Sequence, residues 1–229
     1  KKNIIKLIQT KEFLKAEKKV NLLLEKDPCS TELHNFIGTV YAEQNKNDQA
    51  IICYNKSIQY DKNNFKAYNN LGVLMYKLFK FKEAQSYYTE AIKINPKFYR
   101  AINNLGSTLI FLERFNEAMD CFNVVIKNEP NNFEPHLNKG NILKNRGYLD
   151  EAIICFKDAL KINPNIAKIH NDLAIALKNK TEFKKAIFHF KKSIELDPNN
   201  SSAYLNLGQL YKDFTQFEDA INNYEKAIN

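Results

Sequence analysis

The sequence predicts an all-α solenoid of antiparallel helix pairs, and three observations carry that prediction. The chain resembles itself at a spacing of 34 residues. Within each unit, apolar side chains recur at helical spacing. Small residues, aromatics and proline return at fixed places. A fixed period of about 20 to 50 residues decides an architecture before any local reading does, because each unit is one supersecondary element that must be covered by its neighbours.

With position 1 set at Thr31, units open at Thr31, Phe65, Tyr99, Phe133, Ala167 and Ser201. Position 8 is then glycine at Gly38, Gly72, Gly106, Gly140 and Gly208, with Ala174 as the exception. Position 20 is alanine throughout: Ala50, Ala84, Ala118, Ala152, Ala186 and Ala220. Position 24 is always aromatic (Tyr54, Tyr88, Phe122, Phe156, Phe190, Tyr224), and position 32 holds Pro96, Pro130, Pro164 and Pro198, with Lys62 departing.

The first helix of a unit is expected over positions 2 to 14, its buried face at 4, 7, 8 and 11. The second is expected over 17 to 30, with its face at 17, 20, 21, 24, 27 and 28, the i, i+3, i+4 spacing of an amphipathic helix. Gly at 8 and Ala at 20 read as the point where two backbones approach, so that bulk at Gly106 would wedge against Ala118. Proline at 32 ends the second helix and turns the chain onward.

The expected units are 31–64, 65–98, 99–132, 133–166 and 167–200, flanked by a partial, divergent unit over 1–30 and a truncated one over 201–229. In the first, Phe13, Ala16 and Pro28 fall at positions 17, 20 and 32, but Ile4 stands where glycine is expected. Asn229 falls at position 29 of the last. A chain that opens Lys-Lys and stops in mid-pattern reads as a piece of a longer protein, whose remainder carries further repeats or a catalytic domain. Phe217, Tyr224 and Ile228 are then uncovered, and end-to-end self-association of the truncated array is expected.

The chain is 44% hydrophobic and 26% charged, with no apolar run long enough for a membrane span and no signal-peptide pattern. Its formal charge of +8 comes almost wholly from lysine scattered among acids, with arginine only at Arg100, Arg114 and Arg146. Lys, Asn and Ile in such excess are what an A/T-rich coding sequence produces, and no nucleic acid is expected as a partner.

Cys53, Cys121 and Cys155 all sit at position 23, so even the nearest pair is a full repeat apart. Packed helices alone stand about 8 to 10 Å from one another, beyond the roughly 7 Å between Cα atoms that a disulfide spans. Cys29 has no Cys or His at zinc spacing. Reduced thiols in a cytoplasmic or nuclear compartment follow. His34, His136 and His170 share position 4 with Tyr68, Ile102 and Tyr204, a packing position, and His189 has no carboxylate or nucleophile beside it in a recognisable constellation. No glycine loop cradles a phosphate. No catalytic residue, cofactor or metal site is expected.

Bulky 4, Leu 7, Gly 8, large 11, Ala 20, aromatic 24 and Pro 32 together resemble the tetratricopeptide repeat, over nearly the whole chain. The resemblance implies a right-handed superhelix whose first helices line a concave groove, a protein-interaction scaffold without catalysis of its own. Positions 2, 5, 6, 9, 12 and 13 lie toward the side of the first helix that the family turns to the groove. Position 6 reads Phe36, Asn70, Asn104, Asn138, Asp172 and Asn206, and position 5 adds Asn35, Asn69, Asn103 and Asn171. An amide both donates and accepts, which suits the backbone of an extended peptide.

A narrower resemblance is to the repeat arm of protein O-linked N-acetylglucosamine transferases. Asn70, Asn104, Asn138 and Asn206 match its asparagine ladder, while Phe36 and Asp172 break it. The alternative to a scaffold is therefore the substrate-recognition arm of a larger enzyme. The carboxylate clamp of chaperone-tail binders is matched only in parts: Asn141 lacks its lysine, the place being Leu137, and Lys168 is followed by Asp172 rather than Arg.

The binding groove is expected at the second and third full repeats, from Lys66, Asn69, Asn70, Tyr76, Lys77, Arg100, Asn103, Asn104 and Phe111, with Asn138 and Asn206 continuing the amides. By position this stretch holds three cations and no carboxylate, so the expected ligand is an extended, acidic peptide. Glu32 and Glu43 make the preceding unit acidic. Glu134, Asp172 and Asp213 offset Lys144, Lys168, Lys178 and Lys212 further along.

Overall fold

The computed structural model describes residues 2–228, so Lys1 and Asn229, the outer bounds expected for the first and last units, lie outside the described residues. Every regular element among the described residues is an α-helix. The chain forms two compact units, Lys1–Ala118 and Met119–Asn229.

The first unit contains α1 (Lys2–Gln9), α2 (Phe13–Lys26), α3 (Thr31–Glu43), α4 (Asn47–Tyr60), α5 (Phe65–Lys77), α6 (Phe81–Ile94) and α7 (Tyr99–Phe111), and ends in the opening turn of α8 (Phe115–Asn128). The second contains the rest of α8 with α9 (Glu134–Asn145), α10 (Leu149–Ile162), α11 (Ala167–Asn179), α12 (Phe183–Leu196), α13 (Ser201–Asp213) and α14 (Phe217–Ile228). Within the first unit α3 packs on α4 and also on α5, and α5 on α6 and α7. Within the second, α11 packs on α12 and also on α9 and α13.

That double packing widens the buried face of each first helix. Positions 3 and 10, which a single amphipathic stripe leaves out, are buried at Leu33, Ala67, Ala101, Pro135, Ile169 and Ala203, and at Val40, Leu74, Thr108, Ile142, Ala176 and Leu210. The first helices are covered by their own partners, by the second helix before them in the chain (α2 on α3, α4 on α5, α6 on α7, α10 on α11, α12 on α13) and by neighbouring first helices.

The repeated glycine has a different role from the one its spacing implied. A Cβ built on Gly38, Gly72 or Gly140 would stand 2.7, 2.6 or 2.7 Å from the ring of Tyr54, Tyr88 or Phe156. The glycine makes room for the aromatic at position 24, not chiefly for the alanine at position 20. Those rings are at most 2% exposed and fill the space between the paired helices.

Each first helix ends in the same turn. Position 15 carries a positive φ at Lys11, Asn45, Phe79, Glu113, Gly147, Thr181 and Thr215. At the second of the complete first helices, the Phe79 amide donates to the Tyr76 carbonyl at 3.0 Å and the Lys80 amide to the Met75 carbonyl at 2.9 Å, the paired bonds of a Schellman cap. Two of the junctions between repeats are tied by a buried serine at position 27. The Ser57 hydroxyl donates to the Thr31 carbonyl at 2.7 Å and accepts from Asn64, while Asn64 caps α5 by accepting from the Ala67 amide. Ser193, Ala167, Asn200 and Ala203 repeat the arrangement in the second unit.

Candidate functional site

The inner face of the first unit is built by α3, α5 and α7. Helix spacing brings position 6 of one repeat against position 5 of the repeat before it, 35 residues earlier. Asn70 Nδ2 donates to Asn35 Oδ1 at 3.0 Å, and Asn104 Nδ2 donates to Asn69 Oδ1 at 3.1 Å. A longer contact of 3.4 Å runs from Asn69 Nδ2 to Asn70 Oδ1. The amides do form a ladder, but its rungs join helix to helix.

This corrects two of the expected groove residues. Asn69 and Asn103 are only 2% and 5% exposed, so position 5 faces the neighbouring helix and offers no amide to a ligand. Asn70 and Asn104 stay half-exposed. A carboxamide has two donors and two acceptor sites, and the bond each makes to the preceding repeat leaves capacity on the open side.

A pocket of ≈ 110 Å³ lies on this face, lined by Thr39, Glu43, Tyr54, Asn70, Val73, Lys77 and Arg100 among others. The Tyr54 hydroxyl donates to Thr39 Oγ1 at 3.3 Å, and burial pushes its pKa up to about 12, so it remains a neutral donor at any ordinary pH. Lys77 is not a free cation. Its ammonium pairs with Glu43 at 3.1 Å, one repeat earlier at the same position, so a carboxylate does enter the stretch expected to have none. The pair is exposed on both sides and therefore weak. Lys66 and Arg100, both exposed, have no ion pair among the described residues.

Tyr76 and Phe111 meet at the turn end of the face with ring centroids 5.5 Å apart, and Phe81 stacks on Phe111 at 4.6 Å. Thus the structure brings Asn70, Tyr76, Lys77, Arg100, Asn104 and Phe111 together on one face with Lys66 at its edge, and withdraws Asn69 and Asn103 from it. Thr39 and Tyr54 were missed. Their signal, a polar group at position 9 facing a Tyr at 24, occurs in two repeats, the other being Gln209 with Tyr224.

In the second unit, α9, α11 and α13 supply the corresponding face, where Asn138 is half-exposed. Position 5 here is Leu137, which can accept nothing, and position 6 of the next repeat is Asp172. Its carboxylate takes Lys144 at 2.7 Å and Asn141 at 3.4 Å; Lys144 and Asp172 side chains are each only 12% exposed. Asn206 turns to its own helix, donating to the Ser202 carbonyl at 2.8 Å while accepting from Lys178 at 3.1 Å.

The histidines at position 4 tie repeats together. His34 Nε2 donates to the Pro28 carbonyl at 2.8 Å and His170 Nε2 to the Pro164 carbonyl at 3.0 Å. A proton on Nε2 leaves Nδ1 of neutral His170 as an acceptor, and it takes the Nδ1 proton of His189 at 2.9 Å. Burial, then the neighbouring His170 and Lys157, bring the pKa of His189 down to about 4. Among the described residues no three His, Cys, Asp or Glu side chains converge as metal ligands, and no helix is long and apolar enough to cross a membrane.

Sequence profiles agree along the chain. One for the TPR repeat matches residues 38–78, and others for the tetratricopeptide repeat match 65–98, 99–132, 133–166, 167–200 and 189–229. Together they leave no gap from 38 to 229. No curated protein matches. Among solved structures, the Cut9–Hcn1 hetero-tetramer of the APC/C aligns with TM-score 0.83 at 18% identity, covering 98% of this chain and 45% of that one. PilF of Pseudomonas aeruginosa aligns with TM-score 0.77 at 20% identity, covering 84% and 88%. YrrB, described as a TPR protein with an unusual peptide-binding site, aligns with TM-score 0.62 at 21% identity, covering 80% and 95%. Likeness at such identities is likeness of fold.

Proposed function

Since the chain belongs to the tetratricopeptide repeat family and is a protein-interaction scaffold of that kind, we propose that the face of α3, α5 and α7 binds an extended, acidic peptide of a protein partner. The observation that carries this reading is the pocket of Thr39, Asn70, Lys77 and Arg100. It combines the half-used amide of Asn70, which suits a peptide backbone, with the guanidinium of Arg100, which has no ion pair among the described residues and suits a carboxylate. Lys66 adds a second unpaired cation one repeat earlier, at the same position as Arg100. Steering by these two charges raises the association rate, and the amides hold the chain once it has arrived.

Charge reversal tests the reading without touching the ladder. A partner recovered by pull-down is titrated calorimetrically into wild type and into Lys66→Glu/Arg100→Glu, with circular dichroism confirming the fold. We expect a loss of about tenfold or more, concentrated at low salt. Equal affinity in the two proteins removes this face as the site. The substrate-recognition arm of a larger enzyme, such as a protein O-linked N-acetylglucosamine transferase, would use the same face, and the half-exposed amides of Asn70 and Asn104 favour it. A catalytic domain in the full-length chain separates that role from a scaffold's.

A further inference from the structure

Phe79 is the anomaly of the fold. Position 15 has positive φ in all seven turns, and six of them carry Lys, Asn, Glu, Gly or Thr. This one carries phenylalanine at φ 59°, a left-handed conformation that bulky L side chains rarely adopt. The Schellman bonds hold the backbone there, but the ring adds no packing to the unit: it is 79% exposed and its one ring partner among the described contacts is Phe81, at 6.2 Å edge to face. A bulky ring in a left-handed turn, where the other repeats place smaller or polar residues, and left almost without packing partners, marks this position as a candidate for function.

Phe79 does not stand alone. Phe111, 54% exposed, stacks on Phe81, and Tyr76 meets both at 5.5 and 5.6 Å. The four rings form an aromatic patch at the turn ends of α5 and α7. It adjoins the proposed groove, since Phe111 holds in its repeat the position 13 that Lys77 and Glu43, which line the pocket, hold in the two before it. Rings grouped in this way can receive either a cation or another ring. The surround decides between them. Lys77, Lys80 and Lys82 alternate with the aromatics; Lys82 has no ion pair among the described residues, and Lys77 and Lys80 have only exposed ones, to Glu43 at 3.1 Å and Glu83 at 3.6 Å. A cationic guest meets these charges unfavourably, whereas an aromatic guest flanked by carboxylates complements them.

We propose that the patch of Tyr76, Phe79, Phe81 and Phe111 seats an aromatic side chain of the acidic peptide held in the groove, and so sets which peptide the scaffold accepts. This rests on the groove reading above. The groove's amides read backbone, which every peptide has; the patch reads a side chain. Phe79 is held in its strained turn by the Schellman bonds, presenting its ring outward ready to bind.

The test uses two labelled peptides of Asp, Glu and Gly, one with a central Trp and a twin with Ala in its place, followed by fluorescence anisotropy. Wild type should prefer the Trp peptide by about tenfold. Phe79→Asn places in the turn the residue that Asn45 shows to fit it at φ 59°. That variant should keep or raise the unfolding midpoint, by up to about 4 °C, while its preference falls to about twofold. A preserved preference in Phe79→Asn overturns the proposal. So does a single-stranded oligonucleotide that binds more tightly than the Trp peptide and displaces it, which would assign the Lys-aromatic alternation to nucleic acid. Lys66→Glu/Arg100→Glu separates the two readings. If it weakens both peptides while wild type shows no Trp preference, the groove stands and the patch falls. If it weakens neither while Phe79→Asn still erases the preference, the patch stands and the groove reading falls. Failure of both peptides to bind wild type overturns both.

Discussion

Asn104→Ala should destabilise the first unit even though Asn104 is half-exposed and alanine is the better helix former. The side chain donates to Asn69 Oδ1 at 3.1 Å, and Asn69 is 2% exposed, so the substitution leaves a buried oxygen without its donor. Leaving a buried carbonyl oxygen without its partner costs about 1 to 3 kcal/mol. The gain in helix propensity returns about 0.5 to 0.7 kcal/mol. The net expectation is a loss of about 0.3 to 2.5 kcal/mol. Asn69→Ala in the same background removes the orphan, so the double-mutant cycle should show a coupling of about 1 kcal/mol between the two sites. Urea unfolding followed by circular dichroism measures the loss. Hydrogen exchange locates it, with amides of α5 and α7 exchanging faster and those of α11 and α13 unchanged, because coupling in a stacked array runs between nearest neighbours. Stability equal to wild type, with no coupling, would mean that the amides only decorate the face. The same numbers show why Asn70 and Asn104 are poor probes of binding: their removal perturbs the helices that carry the site.

Gly72→Ala should cost about 1 to 3 kcal/mol, since the new methyl would stand 2.6 Å from the buried Tyr88 ring; a thermal melt superposable on wild type would contradict the packing described. Burial holds His170 and His189 below the ordinary imidazole range, His189 at about 4 against 6.5. The folded chain therefore binds fewer protons than the unfolded chain, and stability present above pH 6.5 is lost as pH falls toward 4. Discounted for partial exposure, the loss is about 1 to 2 kcal/mol, and His170→Gln/His189→Gln should flatten this part of the pH profile of the unfolding midpoint. On α14, Phe217, Ile221 and Ile228 are 59%, 57% and 86% exposed, and this apolar face should drive concentration-dependent self-association. Sedimentation velocity should show it reduced by Ile221→Lys, and a strict monomer at high wild-type concentration would count against it.

The repeat, its two helices and the helical class were legible because period and amphipathic spacing are one-dimensional signals. The partners of each helix were not, because a helical wheel sets a helix against one neighbour and these first helices have several, α5 packing on α3, α4, α6 and α7. That is why Asn69 and Asn103 were assigned to the open face and are buried, and why positions 3 and 10 escaped notice. The ladder had left a trace in residue identities. Asn35 is followed 35 residues later by Asn70, and Asn69 by Asn104, whereas Leu137 is followed by Asp172 with Lys144 supplied to meet it. Glycine and the aromatic sixteen positions later were likewise visible as a recurring pair, and were misread because alanine at position 20 recurs as faithfully. Phe79 could not be found this way at all, since the sign of φ leaves no mark in the order of residues and its place is filled elsewhere by Lys, Asn, Glu, Gly and Thr.

These misreadings bear on function. What recurs along the repeats, the glycine with its aromatic and the amides where they pair, is occupied in holding helix to helix. A surface that recognises one partner must differ from the surfaces made by the repeat as such, because features common to all the repeats cannot mark one place along the array. On the face of α3, α5 and α7 the departures are Arg100 where the other repeats have no arginine, and aromatic rather than polar residues at Phe79 and Phe111. They sit beside amides already committed to stacking. On the proposed reading, selectivity therefore resides in the guanidinium and the rings, and substitutions there should change affinity with little effect on unfolding, whereas substitutions in the ladder should change unfolding first.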